Sequence, residues 1–174
     1  MKLRLTLSAS AIAAGLLFSC LPSLADKGSA TSYKVLASEN TGFNVMTVEF
    51  HIQKGEEHFL KNDFTNAEEE FIIARKMALA LLSFYRDIAN SFKGLDVRIP
   101  REMNSKNRDA IKSLAKANLR LASVYRKKKE SGTAVPLLVE ALRLMTPAKP
   151  EGQEAYQSLV ELGFVQTPYR GARR

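Results

Sequence analysis

The residues of this chain best suited to chemistry are two histidines and a dense set of carboxylates. They fall close together in FHIQKGEEHFLKNDFTNAEEEF, residues 50–71, which holds His51, Glu56, Glu57, His58 and then Glu68, Glu69 and Glu70. Two histidines that share a metal from one helix want a spacing of one turn. His51 and His58 are seven residues apart, about two turns of 3.6 residues each. Glu56 or Glu57 completes only a weak site, and no H-E-x-x-H or C-x-x-C pattern occurs. Consecutive side chains point in different directions round a helix, so Glu68 to Glu70 do not converge on a cation. G-x-S-x-G and G-x-x-x-x-G-K-[ST] are absent as well. The sequence therefore points to a non-enzymatic protein without metal or cofactor, in which these residues cap and pack helices.

The elements that hold these residues are helical. Asn40-Thr41-Gly42 signals a turn, and a first helix is predicted from Asn44 to Asn62, burying Val48, Ile52 and Phe59. After a turn at Asn62-Asp63, Thr65-x-x-Glu68 reads as a capping box. The three acids would then lie in the first turn, where the helix dipole favours them. This second helix is predicted from Asn66 to Lys93, closed by Gly94. Its middle, MALALLSF (Met77 to Phe84), is apolar almost all round, which predicts cover on several sides. Pro100 opens a third helix running to Glu130, with Ile111, Leu114, Ala115, Ala122 and Tyr125 near one stripe. A fourth spans Ala134 to Met145 and a fifth Glu151 to Leu162. No segment sustains period-two alternation, so the predicted fold is all-α.

The ends carry different information. Lys2 and Arg4, the apolar run Leu5 to Phe18, Pro22 and the small residues Ser23 and Ala25 read as an export signal over residues 1–25. Leu17-Phe18-Ser19-Cys20 overlaps it as a lipobox-like pattern, so acylation at Cys20 is the competing reading. Both place the protein outside the cytoplasm, in a periplasm or cell envelope, or in the thylakoid lumen of a photosynthetic host. Residues 26–43 are a polar arm, residues 44–163 the helical domain, and residues 164–174 a tail ending in Arg170, Arg173 and Arg174. Cys20 is the one cysteine, so no disulfide staples the mature domain. Removing Lys2 and Arg4 from the 26 basic residues leaves 24 against 18 acids, a net charge of +6. That excess suits anionic neighbours, among which nucleic acid is not expected for an exported chain. Arg126-Lys127-Lys128-Lys129 is its densest run; it suits either an anionic surface or a helix C-terminus.

One pattern occurs twice. A small residue, a ring three later, then Ala, an apolar residue and Ala fall at Gly55, His58, Ala67, Phe71 and Ala74. They fall again at Ala122, Tyr125, Ala134, Leu138 and Ala141, each offset by 67 residues. Small residues let two helices approach, and the ring fills the space beside them. With Pro147 following, this spacing resembles the tetratricopeptide repeat, a helix–turn–helix unit of about 34 residues. His58 stands where that family usually carries tyrosine. Arg101, Ser105 and Arg108 break the pattern in the intervening slot.

The resemblance implies antiparallel hairpins stacked as a short α-solenoid with two long central helices, and a groove lined by the first helix of each unit. By that analogy Glu49, Ile52, Glu56 and Phe59 face the groove, joined by Lys116, Leu119, Ser123 and Arg126. Glu49 and Glu56 stand where the family's carboxylate-binding members carry other residues, so that ligand is not expected. The implied role is an assembly adaptor for a protein partner. The alternative is a peripheral protein that binds an anionic membrane or wall surface through Arg126 to Lys129.

Overall fold

The computed structural model describes residues 42–171. The export signal, Cys20, most of the polar arm, Arg173 and Arg174 lie outside the described residues. Five helices follow in order: α1 Val45–Leu60, α2 Phe64–Ser91, α3 Arg98–Lys127, α4 Ser131–Met145 and α5 Pro150–Glu161. No strand occurs among the described residues, and the fold is all-α, with successive antiparallel hairpins stacked on one another.

The starts of the helices follow local polar chemistry. Asn44 caps α1, its side chain accepting from the Thr47 backbone N–H at 2.9 Å. At α2 the predicted Thr65–Glu68 box does not form. Asp63 is the cap instead, accepting from the Asn66 backbone N–H at 3.3 Å and the Asn66 side chain at 2.6 Å. The helix therefore begins at Phe64, and no acid lies in its first turn. α4 begins at Ser131, three residues earlier than expected, and carries Pro136 within it. At α5, Pro150 takes the first helical position, where its missing N–H costs nothing.

Packing sorts the helices into two rows. Each helix lies against its successor, and α1 and α5 both pack on α3, so α1, α3 and α5 form one row and α2 and α4 the other. The core between the rows is rich in alanine: Ala67, Ala74, Ala78, Ala115, Ala117, Ala122, Ala134 and Ala141 are fully buried, beside Ile52, Phe71, Leu81, Leu114 and Leu138. Small side chains bring backbones close, and the few large ones fill the remaining gaps. Gly55 shows how close: a Cβ there would lie 2.5 Å from the Phe71 ring. Gly152 at the start of α5 is tighter still, since a Cβ would meet the Thr146 carbonyl oxygen.

The two long helices make an arm. At 1.5 Å per residue, α2 and α3 run about 42 and 45 Å, against about 24 Å for α1. The start of the described chain reaches only as far as Phe84, whose ring meets Phe43 edge-on at 5.6 Å. Even before that point cover is incomplete, since Leu79 and Phe84 are more than a third exposed. The apolar MALALLSF stretch is thus covered on fewer sides than its composition predicts. Among the described residues no helix is long and apolar enough to cross a membrane.

The two copies of the repeat occupy matching places. Three residues join α1 to α2 and three join α3 to α4. In the first turn the Asp63 N–H bonds to the His58 carbonyl and the Asn62 N–H to the Phe59 carbonyl. In the second, Glu130 bonds to Tyr125 and Lys129 to Arg126. Asn62 and Lys129 take the left-handed backbone, at φ 60° and 63°. Both turns are Schellman caps, and every participant is displaced by the same 67 residues. α5 closes the same way with Gly163 at φ 79° and Phe164 bonded to Leu159.

Candidate functional site

The row α1, α3, α5 carries an open groove of about 720 Å³. Phe59 and Leu60 come from α1, and Arg120, Ser123, Arg126 and Lys127 from α3. Leu162 lies at the end of α5, Phe71 of α2 forms the floor, and Glu56 stands on the rim. The sizes suit a ligand site, which typically spans about 300–1,000 Å³ with apolar walls and a few polar groups. Phe59 is half-buried against Phe64 at 5.5 Å, while Leu60 is 81% exposed at the groove's mouth.

The cations on its walls are unequal. Arg120 bonds Glu56 of α1 at 2.7 Å and Glu154 of α5 at 2.9 Å, and so bridges the outer helices of the row. Those carboxylates outweigh burial and push its guanidinium above its ordinary pKa, keeping it charged. Arg126 bonds Glu161 at 2.7 Å and the Ser158 hydroxyl at 3.1 Å. Lys127 is exposed and has no ion-pair partner among the described residues.

Of the eight groove candidates, Glu56, Phe59, Ser123 and Arg126 line this cavity. Two others are corrected. Ile52 is fully buried and Leu119 is 3% exposed, both within the core, where neither reaches a partner. Glu49 and Lys116 hold each other at 3.1 Å, with Ser113 donating to Glu49 at 2.6 Å, and bind α1 to α3 above the groove. Leu60, Arg120 and Leu162 were missed. Leu60 stands at a helix end where the apolar period does not reach, and Arg120 announces nothing by its neighbours in sequence.

The basic run is divided. Arg126 is held by α5, and Lys128 pairs with Glu68, which also accepts from the Tyr125 hydroxyl at 2.8 Å. Burial opposes charge on Glu68, yet the bonds from Lys128 and Tyr125 prevail and keep it below its ordinary range. Burial and the Glu68 bond push the Tyr125 hydroxyl up to about 12. Lys127 and Lys129 remain exposed.

The histidines and acids of the opening stretch serve as inter-element ties. His51 Nδ1 lies 2.7 Å from buried Glu70, which also receives Lys54 at 2.6 Å. His58 Nδ1 lies 3.1 Å from Asp63, beside the first Schellman cap. Glu68 and Glu70 therefore answer to partners on other helices, not to the helix dipole. Among the described residues, no three His, Cys, Asp or Glu side chains gather to hold a metal. Compared with known proteins, the chain matches no family model, no curated protein and no solved structure.

Proposed function

We propose that this chain is an exported, non-enzymatic adaptor that receives a segment of a protein partner in the α1–α3–α5 groove. The observation that supports it is the groove itself: Phe59, Leu60 and Leu162 give it an apolar lining between α1, α3 and the end of α5. Lys127 at its edge adds one uncompensated cation. The fitting occupant is a peptide segment that seats one or two apolar side chains on Phe59 and Leu60 and turns a carboxylate toward Lys127. Apolar anchors supply most of the affinity in such sites, and the charge sets the register. The doubled hairpin, with its tetratricopeptide-like spacing, supports the same reading, because stacked hairpins leave the first helices of successive units side by side. The N-terminal sequence supports export to an envelope compartment.

A photo-crosslinking amino acid in place of Leu60 tests this in the native host. The expected result is a discrete covalent adduct with one envelope protein. Phe59→Glu should reduce that adduct at least ten-fold with helicity unchanged, and Lys127→Glu should reduce it less. An adduct insensitive to Phe59→Glu, or no adduct at all, would overturn the proposal.

A further inference from the structure

The distal end of the α2–α3 arm carries a second surface, remote in sequence from the groove and independent of the adaptor reading. Between Ser91 and Arg98 the chain turns through Gly94 at φ 85°, and the Leu95 and Asp96 N–H groups both bond to the Phe92 carbonyl. This ordered turn points its apolar side chains outward: Leu95 is 80% exposed and Val97 is 72% exposed. Between them Asp96 turns back, accepting from the Arg98 backbone N–H at 2.8 Å and from its guanidinium at 2.7 Å. Its charge is thus matched within the turn.

Beside this tip lies a cleft of about 430 Å³ lined by Lys93, Arg101, Asn104 and Arg108, among others. Lys106, which pairs with Glu102 at 2.7 Å, stands nearby. Lys93, Arg101 and Arg108 have no ion-pair partner among the described residues. Two protruding apolar side chains beside unpaired cations, at the turn between the two long helices, match one surface in chemistry. A bilayer with anionic headgroups offers phosphates to the cations and an apolar layer just beneath. A concave protein site would need a pocket for Leu95 and Val97; a membrane needs none.

We infer that the α2–α3 tip docks on an anionic phospholipid surface, with Leu95 and Val97 entering the headgroup boundary and Lys93, Arg101 and Arg108 engaging lipid phosphates. This places the contact away from the Arg126–Lys129 run, half of which is committed to intramolecular pairs.

The chain contains no tryptophan, so Leu95→Trp in the full-length protein creates a single reporter whose signal is independent of the apolar N-terminal segment. With phosphatidylcholine vesicles containing about a third phosphatidylglycerol, its emission should shift to the blue and be quenched by brominated acyl chains. With phosphatidylcholine alone it should not. Adding Arg101→Ala and Arg108→Ala should lower partitioning roughly 25-fold, at about five-fold for each cation removed near an anionic surface. Lys127→Ala with Lys129→Ala in the same background should change it less than two-fold. Both charge-removing pairs lie at exposed positions, and unchanged far-ultraviolet circular dichroism confirms the fold. Unshifted Leu95→Trp emission on anionic vesicles would overturn the inference. So would equal quenching of a Leu60→Trp reporter, equal binding to neutral vesicles, or stronger dependence on Lys127 and Lys129 than on Arg101 and Arg108.

Discussion

The hairpins α1–α2 and α3–α4 share one backbone plan and solve its packing differently. In the first, Gly55 has no side chain and the Phe71 ring fills the space. In the second, Ala122 adds a methyl and the facing position carries the smaller Leu138. The sum of the two volumes is conserved while each member changes, which is what a close-packed crossing demands. The polar side differs too. The first hairpin ties its turn locally, through His58 and Asp63, whereas the second sends Tyr125 and Lys128 across to Glu68 of the first. One turn is tied within its own unit and the other is tied to its neighbour, so a repeat can keep its geometry while the chemistry of its turn moves from inside the unit to between units.

The comparison breaks most sharply at the crossing. Gly55→Ala should destabilise by about 1–3 kcal/mol despite better helix propensity, because the added methyl meets a fully buried ring. Gly55→Ala with Phe71→Leu, which copies the second hairpin's pair into the first, should recover most of that loss in thermal unfolding. Failure of the double variant to recover would mean that the two crossings are not equivalent. Next in size is Tyr125→Phe, which removes the hydroxyl bond to Glu68 across the hairpins. A loss of about 0.5–1.5 kcal/mol is expected in denaturant titration.

Acid should weaken the same ties. Burial opposes charge on Glu68 and Glu70, but Lys128 with Tyr125, and His51 with Lys54, hold both below the ordinary 4.5. A carboxylate whose pKa is depressed by folding contributes stability above its unfolded value and loses it as pH falls through the folded one. Melting temperature should therefore drop as pH falls below about 4.5, and Glu68→Gln with Glu70→Gln should flatten that slope. The smallest effect belongs to the turns. Lys129 and Asn62 both sit at left-handed φ, which asparagine tolerates better than lysine. Lys129→Gly should raise stability by up to about 1 kcal/mol, and Asn62→Gly by less.

Much of this plan was legible from residue spacing. The period of Val48 and Ile52 and the doubled small–ring–alanine pattern both concern neighbours within a hairpin, and the structure keeps them, whereas Pro100, expected to open α3, stands two residues inside it. What escaped were decisions between distant residues. Thr65 and Glu68 satisfy a capping pattern, yet Asp63 lies nearer the free N–H groups and Glu68 has a stronger claim from Lys128 and Tyr125. Glu70 finds His51 from 19 residues away. Ile52 and Leu119 fit groove positions by analogy, but both are packed into the core. Leu95 and Val97 read as an ordinary connection, since exposure at a turn depends on which helices stop short of it.

Arg120 gives the groove a mechanical character. α1 and α5 do not pack against each other, yet a single guanidinium on the helix between them grips a carboxylate from each. The two walls are thereby latched through one pin: an occupant that spreads them must unfasten Glu56 or Glu154. Whatever enters is then read at both flanks simultaneously, and a guest that offers its own acid to the pin could trade places with either wall and loosen the terminal helix from the stack.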